Sequence, residues 1–293
     1  MDSQHKRRRW PRLGSGTVPA LLAFVLLSLP SAVPGAYVSV PSLKRVLELE
    51  GEARSFWFTV LSDDREFSRE VLKNLEDVFA RVRGDLNITR RLGKKCLVLV
   101  WNDREEFVKG VVARMGIWDG ASSKAFYAAS CEGGPHLICM YRADDLFTEI
   151  LPHELTHLIL AIALDPSGSR PIPLWLNEGL AECQTAQPLA ERAAAIRTAK
   201  EEGNYIPIRE LVRFNGYPDD FDRCRLFYEE SAALVKFLLE EETYPGEFFE
   251  LAKRLTFWGG DFLSVFNKLY NRRYTSFDIL EESFGRFIDV NAD

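Results

Sequence analysis

Apolar positions recur in several rhythms along this chain, and each predicts a different element. Phe67, Val71, Leu75, Val78 and Val82 fall three and four apart, on one face of a helix. Residues Phe56 to Leu61 alternate, with Phe56, Phe58 and Val60 on one side, and predict a half-buried strand. Cys96 to Trp101 is apolar at every position, the pattern of a strand covered on both faces. The segment from Asp103 to Val112 reads as a helix behind an Asn/Asp cap, and 115–124, with Gly116 and Gly120, as a loop. Residues 125–130 and 136–141 flank a Gly-Gly-Pro turn and predict a hairpin, with His136–Tyr141 as the sheet edge. Ile150 to Leu164 is apolar nearly all round, as in a buried helix. That helix should start near Asp144 or Asp145 and kink at Pro152, which lacks an N–H. Beyond 173 the pattern is helical, at 175–200, 229–242, 246–256, 261–270 and 276–289. The expected class is α+β: a small mixed β-sheet stacked on the Ile150–Leu164 helix, then a mostly helical C-terminal lobe. The expected organisation is a leader at 1–35, an α+β lobe at 36–165 and a helical lobe at 166–293.

The first segment has its own logic. Lys6, Arg7, Arg8, Arg9 and Arg12 precede an apolar run from Val18 to Leu29 and a small-residue tail ending at Gly35-Ala36. A basic head, a short apolar core and a small-residue tail predict a secretory signal peptide cleaved after Gly35 or Ala36, with an uncleaved anchor as the alternative. The whole chain carries a formal charge of −6, and residues 1–35 hold five basic side chains against one acid, so the remainder carries −10. An acidic domain without a basic stripe excludes nucleic acid as the expected partner. Export also bears on the five cysteines, since an oxidising compartment permits disulfides. Cys131–Cys139 across the hairpin and Cys183–Cys224 beyond it are the candidate pairs, and Cys96 is expected as a buried free thiol. In a eukaryotic secretory host, Asn87-Ile88-Thr89 would be a glycosylation sequon.

Chemistry enters at Pro152-His153-Glu154-Leu155-Thr156-His157. Histidines four apart on a helix project from one face, and the glutamate beside the first points to the same cleft without chelating alongside them. Zinc hydrolases need this division: imidazoles hold the metal, and a carboxylate takes a proton from the water the metal activates. Buried in an apolar helix, these polar groups would be costly unless something satisfied them. A third ligand is required, and no histidine follows His157. A carboxylate must supply it, and Glu178 and Glu182 stand four apart on a second helix opened by prolines at 171 and 173.

Together, "LPHELTHLIL" and "PLWLNEGLAE" resemble the gluzincin metallopeptidases, most closely their peptidase MA-like branch. The resemblance implies a thermolysin-like architecture, one zinc ion per chain, and His153, His157 and Glu178 as ligands. It makes Glu154 the general base and Glu182 an acceptor that fixes a ligand histidine's tautomer. It extends more weakly over 55–288, including "LEESFGRF".

The expected function is hydrolysis of peptide bonds by an exported zinc peptidase, Glu154 taking a proton from water and returning it to the leaving amine. The alternative is a zinc-stabilised binding or scaffold domain without turnover. The oxyanion needs a further donor. Tyr228 is the first choice because the family often places a tyrosine at the head of that later helix; His136, Arg223 and Arg225 are weaker choices. A peptide or protein substrate would add as a strand along His136–Tyr141, with Trp118 lining the cleft. A membrane enters only if the N-terminal segment stays uncleaved.

Overall fold

The computed structural model describes residues 47–292 except 91, 115–123, 129–134, 166–170, 243–245, 259 and 271–272. The leader, Trp118 and Cys131 lie outside the described residues. Five strands form one mixed sheet: β1 (Gly51–Arg54), β2 (Phe58–Ser62), β3 (Cys96–Trp101), β4 (Ala125–Ala128) and β5 (His136–Tyr141), in the order β1-β2-β3-β5-β4. The central pairs β2/β3 and β3/β5 are parallel, with Phe58 opposite Cys96 and Cys96 opposite His136; β1/β2 and β4/β5 are antiparallel. Between β2 and β3 runs α1 (Arg65–Asp85), capped by Asp64, whose Oδ1 accepts the Phe67 N–H at 2.7 Å. A short helix, α2 (Arg104–Val108), follows β3 behind its Asp103 cap and continues into a π-helical stretch, Lys109–Arg114.

Because successive strand residues face opposite ways, the sheet has two apolar faces. Val60, Val98, Val100, Ile138 and Met140 pack toward α1 and the helix Leu151–Leu164 (α3). Leu61, Leu97, Leu99, Trp101 and Cys139 pack on the other side with Leu47, Leu49 and Phe107. This double cover explains the unbroken apolar run of β3, buried at all six positions.

The rest is helical: α4 (Leu174–Glu182), α5 (Leu189–Glu201), α6 (Ile208–Leu211), α7 (Phe221–Glu240), α8 (Glu247–Trp258), α9 (Phe262–Leu269) and α10 (Phe277–Asn291). Their shared core reaches back to Leu160 and Leu164 of α3, while Leu151, Leu155, Leu158 and Ile159 serve the sheet side. Helix α3 is therefore packed into both clusters. Helix α4 lies against α7 so closely that a Cβ at Gly179 would come within 2.4 Å of the Ser231 carbonyl oxygen. Only glycine allows that approach.

The architecture is the expected α+β class, with several local differences. Phe56 is 75% exposed and precedes the strand, because β2 begins at Phe58. The short strand β1 was not predicted. Strand β5 lies inside the sheet between β3 and β4, so the edge on that side is β4, not His136–Tyr141. The helix predicted over 175–200 is two helices, broken at 183–188, where Pro188 caps α5. Proline disfavours helical backbone in the residue before it and has no N–H to continue the ladder. Helix α7 starts at Phe221, eight residues before the expected 229, because Asp220 caps it through the Arg223 N–H at 2.9 Å.

Candidate metal centre

Two helices build the centre. From α3, His153 and His157 project on one side; from α4, Glu178 faces them. Their ligating atoms form a compact triangle. His153 Nε2 and His157 Nε2 are 3.0 Å apart, and Glu178 Oε2 lies 3.4 Å from the first and 3.6 Å from the second. A tetrahedral zinc about 2.0–2.1 Å from each ligand would space those ligands roughly 3.3–3.4 Å apart. The observed edges bracket that value. These three residues could hold a metal ion, and they are the only such group among the described residues.

The surroundings orient the triangle. Glu182 Oε1 stands 3.1 Å from His153 Nδ1, so the far side of that imidazole is held while Nε2 faces the centre. Arg192, with only 3% of its side chain exposed, joins Glu182 to Glu229 at 2.7 and 2.8 Å and also donates to the Glu182 carbonyl and to Thr185. On the other side, the Tyr217 hydroxyl donates to Glu178 Oε1 at 2.8 Å, the oxygen that does not face the histidines.

Charge is distributed accordingly. Burial works against the charged form of His153, but hydrogen bonds to Glu178 and Glu182 outweigh it and hold its pKa up to about 10. Burial opposes the charge on Glu178 too, yet His157 and the hydrogen bond from His153 hold it down to about 2. Burial lowers the pKa of His157 and pushes Glu154 up to about 7. A proton on His153 can serve one neighbour at a time, whereas a cation would satisfy all three converging atoms. Two buried atoms here have no hydrogen-bond partner, Glu154 Oε2 and His157 Nδ1. An orphaned carboxylate oxygen beside a group that could hold a metal ion is a buried polar atom still in need of a partner.

Tyr228 sits within the second turn of α7, not at its head. Its ring is 6.4 Å from that of His153 and stacks at 5.9 Å on that of Tyr217, the residue whose hydroxyl donates to Glu178. His136 is not brought to the centre: its Nδ1 is 2.8 Å from the Tyr127 hydroxyl, and burial lowers its pKa to about 4. Arg223 pairs with Glu210, and Arg225 is exposed.

The Cys183–Cys224 bridge does not form, and both thiols are free. Cys183 Sγ lies 3.4 Å from the Ala232 carbonyl. Ala232 is two turns beyond Cys224 on α7, about 12 Å along the axis, and a disulfide needs Cα atoms within about 7 Å. Cys139 is a free, fully buried thiol on β5, and Cys96 is free and buried as expected.

Sequence reasoning missed Tyr217 and Arg192. Tyr217 belongs to an aperiodic loop, where nothing marks it. Arg192 did carry a signal: it shares a face with the buried Ile196 and Ala199, and a cation on an apolar stripe needs buried partners. Comparison with models of known protein families gives no match, and comparison with curated proteins gives none.

Proposed function

We propose that this chain is a zinc-dependent metallopeptidase of the gluzincin kind, exported under the direction of residues 1–35. The observation that carries this reading is the triangle of His153, His157 and Glu178, whose edges suit tetrahedral zinc, beside the unpartnered Glu154 Oε2. Two imidazoles and a carboxylate favour zinc over harder cations, which prefer oxygen ligands alone. Bound there, zinc would supply Lewis acidity, making water acidic near neutral pH and polarising a carbonyl.

The chain's own groups divide the remaining work. Glu154 accepts a proton from water at Oε2 and hands it to the departing amine nitrogen. Burial raises the pKa of this carboxyl in the metal-free centre, while a bound cation would favour its charged, proton-accepting form. Glu182, held by Arg192, keeps the His153 ring in the tautomer that leaves Nε2 free to ligate. The Tyr228 hydroxyl, on a ring 6.4 Å from that of His153, donates to the oxyanion developing on the substrate carbonyl. The candidate ligands come from both sides of residue 165: both histidines from the helix that covers the sheet, the glutamate from the first helix beyond it.

The reading is tested with Glu154→Gln, which keeps the side chain's size and removes its basicity. Zinc content should be unchanged and cleavage of a quenched-fluorescent peptide library should fall by at least about a hundredfold. Retained cleavage would sink the role of Glu154. Zinc binding with no cleavage in either protein would favour the scaffold reading instead.

A further inference from the structure

Pro152 stands directly before the first histidine, at the second position of α3, and the backbone leading into it is not α-helical. The turn before it, Leu146–Ile150, is π-helical: the Leu151 N–H donates to the Leu146 carbonyl, five residues back, as the Ile150 N–H does to Asp145 at 3.2 Å. In an α-helix the Thr148 carbonyl would accept from the amide of residue 152. Proline has no such proton, and its ring would collide with that carbonyl. The π turn turns the Thr148 carbonyl aside, and it is used elsewhere: the Ala186 N–H donates to it at 3.1 Å.

Ala186 lies four residues beyond Glu182, in the segment joining α4 to α5. That segment is tied down on three sides. Thr185 donates to the Glu182 carbonyl at 2.8 Å, Arg192 donates to Thr185 at 3.0 Å, and Arg81 of α1 reaches Gln184 at 3.4 Å. Of these contacts, only the Ala186–Thr148 bond runs from this segment to the polypeptide leading into the histidine helix.

We propose that Pro152 is a positioning residue: its missing N–H commits the Thr148 carbonyl to Ala186, and this bond sets the spacing between the histidine helix and the glutamate helix. The inference rests on the metal-site reading and adds to it how the third ligand is held in place. Proline is tolerated in the first turn of α3, where its missing N–H leaves no bond within that helix unmade, and the acceptor it releases lies in the turn ahead.

The test compares wild type with Pro152→Ala by amide hydrogen exchange and by zinc affinity in chelator competition. In wild type the Ala186 amide should exchange slowly. In the variant, residue 152 regains an N–H and competes for the Thr148 carbonyl. Ala186 exchange should then quicken while the melting temperature of the metal-free protein holds or rises. Zinc affinity should fall about tenfold, the worth of one ordinary hydrogen bond. A purely structural proline would show the opposite split, with stability falling and Ala186 exchange unmoved. Fast exchange at Ala186 in wild type overturns the proposal even if the variant fails to fold, and so does faster exchange with unchanged zinc affinity. Absence of zinc binding in wild type would instead count against the metal-site reading, and the exchange rates would still decide whether the clamp exists.

Discussion

Removing Arg192 should damage the protein in two measurable ways. The side chain is 3% exposed and lies between two carboxylates that are themselves shielded, Glu182 at 18% and Glu229 at 12% exposure. It makes two short charge-assisted bonds to them, 2.7 and 2.8 Å, and two further bonds to the Glu182 carbonyl and Thr185. Arg192→Met keeps much of the length and removes the cation between two shielded carboxylates, leaving Glu182 with His153 and Glu229 with Gln187. Breaking a buried ion pair in this manner costs about 3–5 kcal/mol, a large share of the ~5–15 kcal/mol that a domain of this kind has. Replacing the whole network behaves differently, because no charge is left stranded. Adding Glu182→Gln and Glu229→Gln to the methionine variant should recover most of the lost stability. Zinc affinity should not recover with it, since Glu182 would no longer hold His153 as a carboxylate does; losses of about 10–100-fold are typical for such partners. Urea unfolding of metal-free protein and chelator competition for zinc read the two effects separately. A single variant within about 1 kcal/mol of wild type would refute the reasoning. A triple variant as unstable as the single one would refute it as well.

Two other sites give further tests. Glu230 is fully buried and accepts the Ile206 N–H at 2.9 Å, and burial raises its pKa well above the ordinary 4.5. The folded protein therefore keeps a proton that the unfolded chain has released, so its contribution is complete below pH 4.5 and declines as pH rises. Glu230→Gln should remove that decline: its stability relative to wild type should rise as the pH climbs from 4.5 toward the raised folded pKa of Glu230, and a constant difference would contradict this. Tyr217→Phe keeps the ring stacked on Tyr228 but removes the donor to Glu178 Oε1. Zinc affinity should fall roughly tenfold with the fold intact by circular dichroism, and unchanged affinity would mean that Glu178 needs no such restraint.

Much of this was legible in the sequence, for physical reasons that also explain the misses. The spacing of Phe67, Val71, Leu75 and Val82 and the continuous run of β3 carry their structure locally, because burial on one face or on both imposes its own period. The histidines at 153 and 157 needed only helical geometry to converge. Glu178 required the resemblance, since spacing alone left it level with Glu182. What stayed hidden depends on contacts between distant segments. The rank of a strand within a sheet is one such property: β5 pairs on both sides because β3 happens to lie beside it. The Cys183–Cys224 pairing failed because Cys224 lies inside α7, two turns from Ala232, and not ahead of that helix. The helix break at 183–188 is a different kind of miss, since Pro188 announced it and the apolar pattern on either side concealed it. Pro152 predicts an irregular turn before His153, and the irregularity takes the form of a π turn at Leu146–Ile150.

If three side chains hold one zinc ion, the metal content of the purified protein will show it. The protein should be purified from zinc-replete medium alongside His153→Ala and Glu178→Ala and analysed by mass spectrometry for metals. About one zinc per wild-type chain is expected, with its loss or marked weakening in both variants and folding preserved. A wild-type chain that carries no zinc, or a Glu178→Ala variant that binds it as tightly as wild type, would contradict the account.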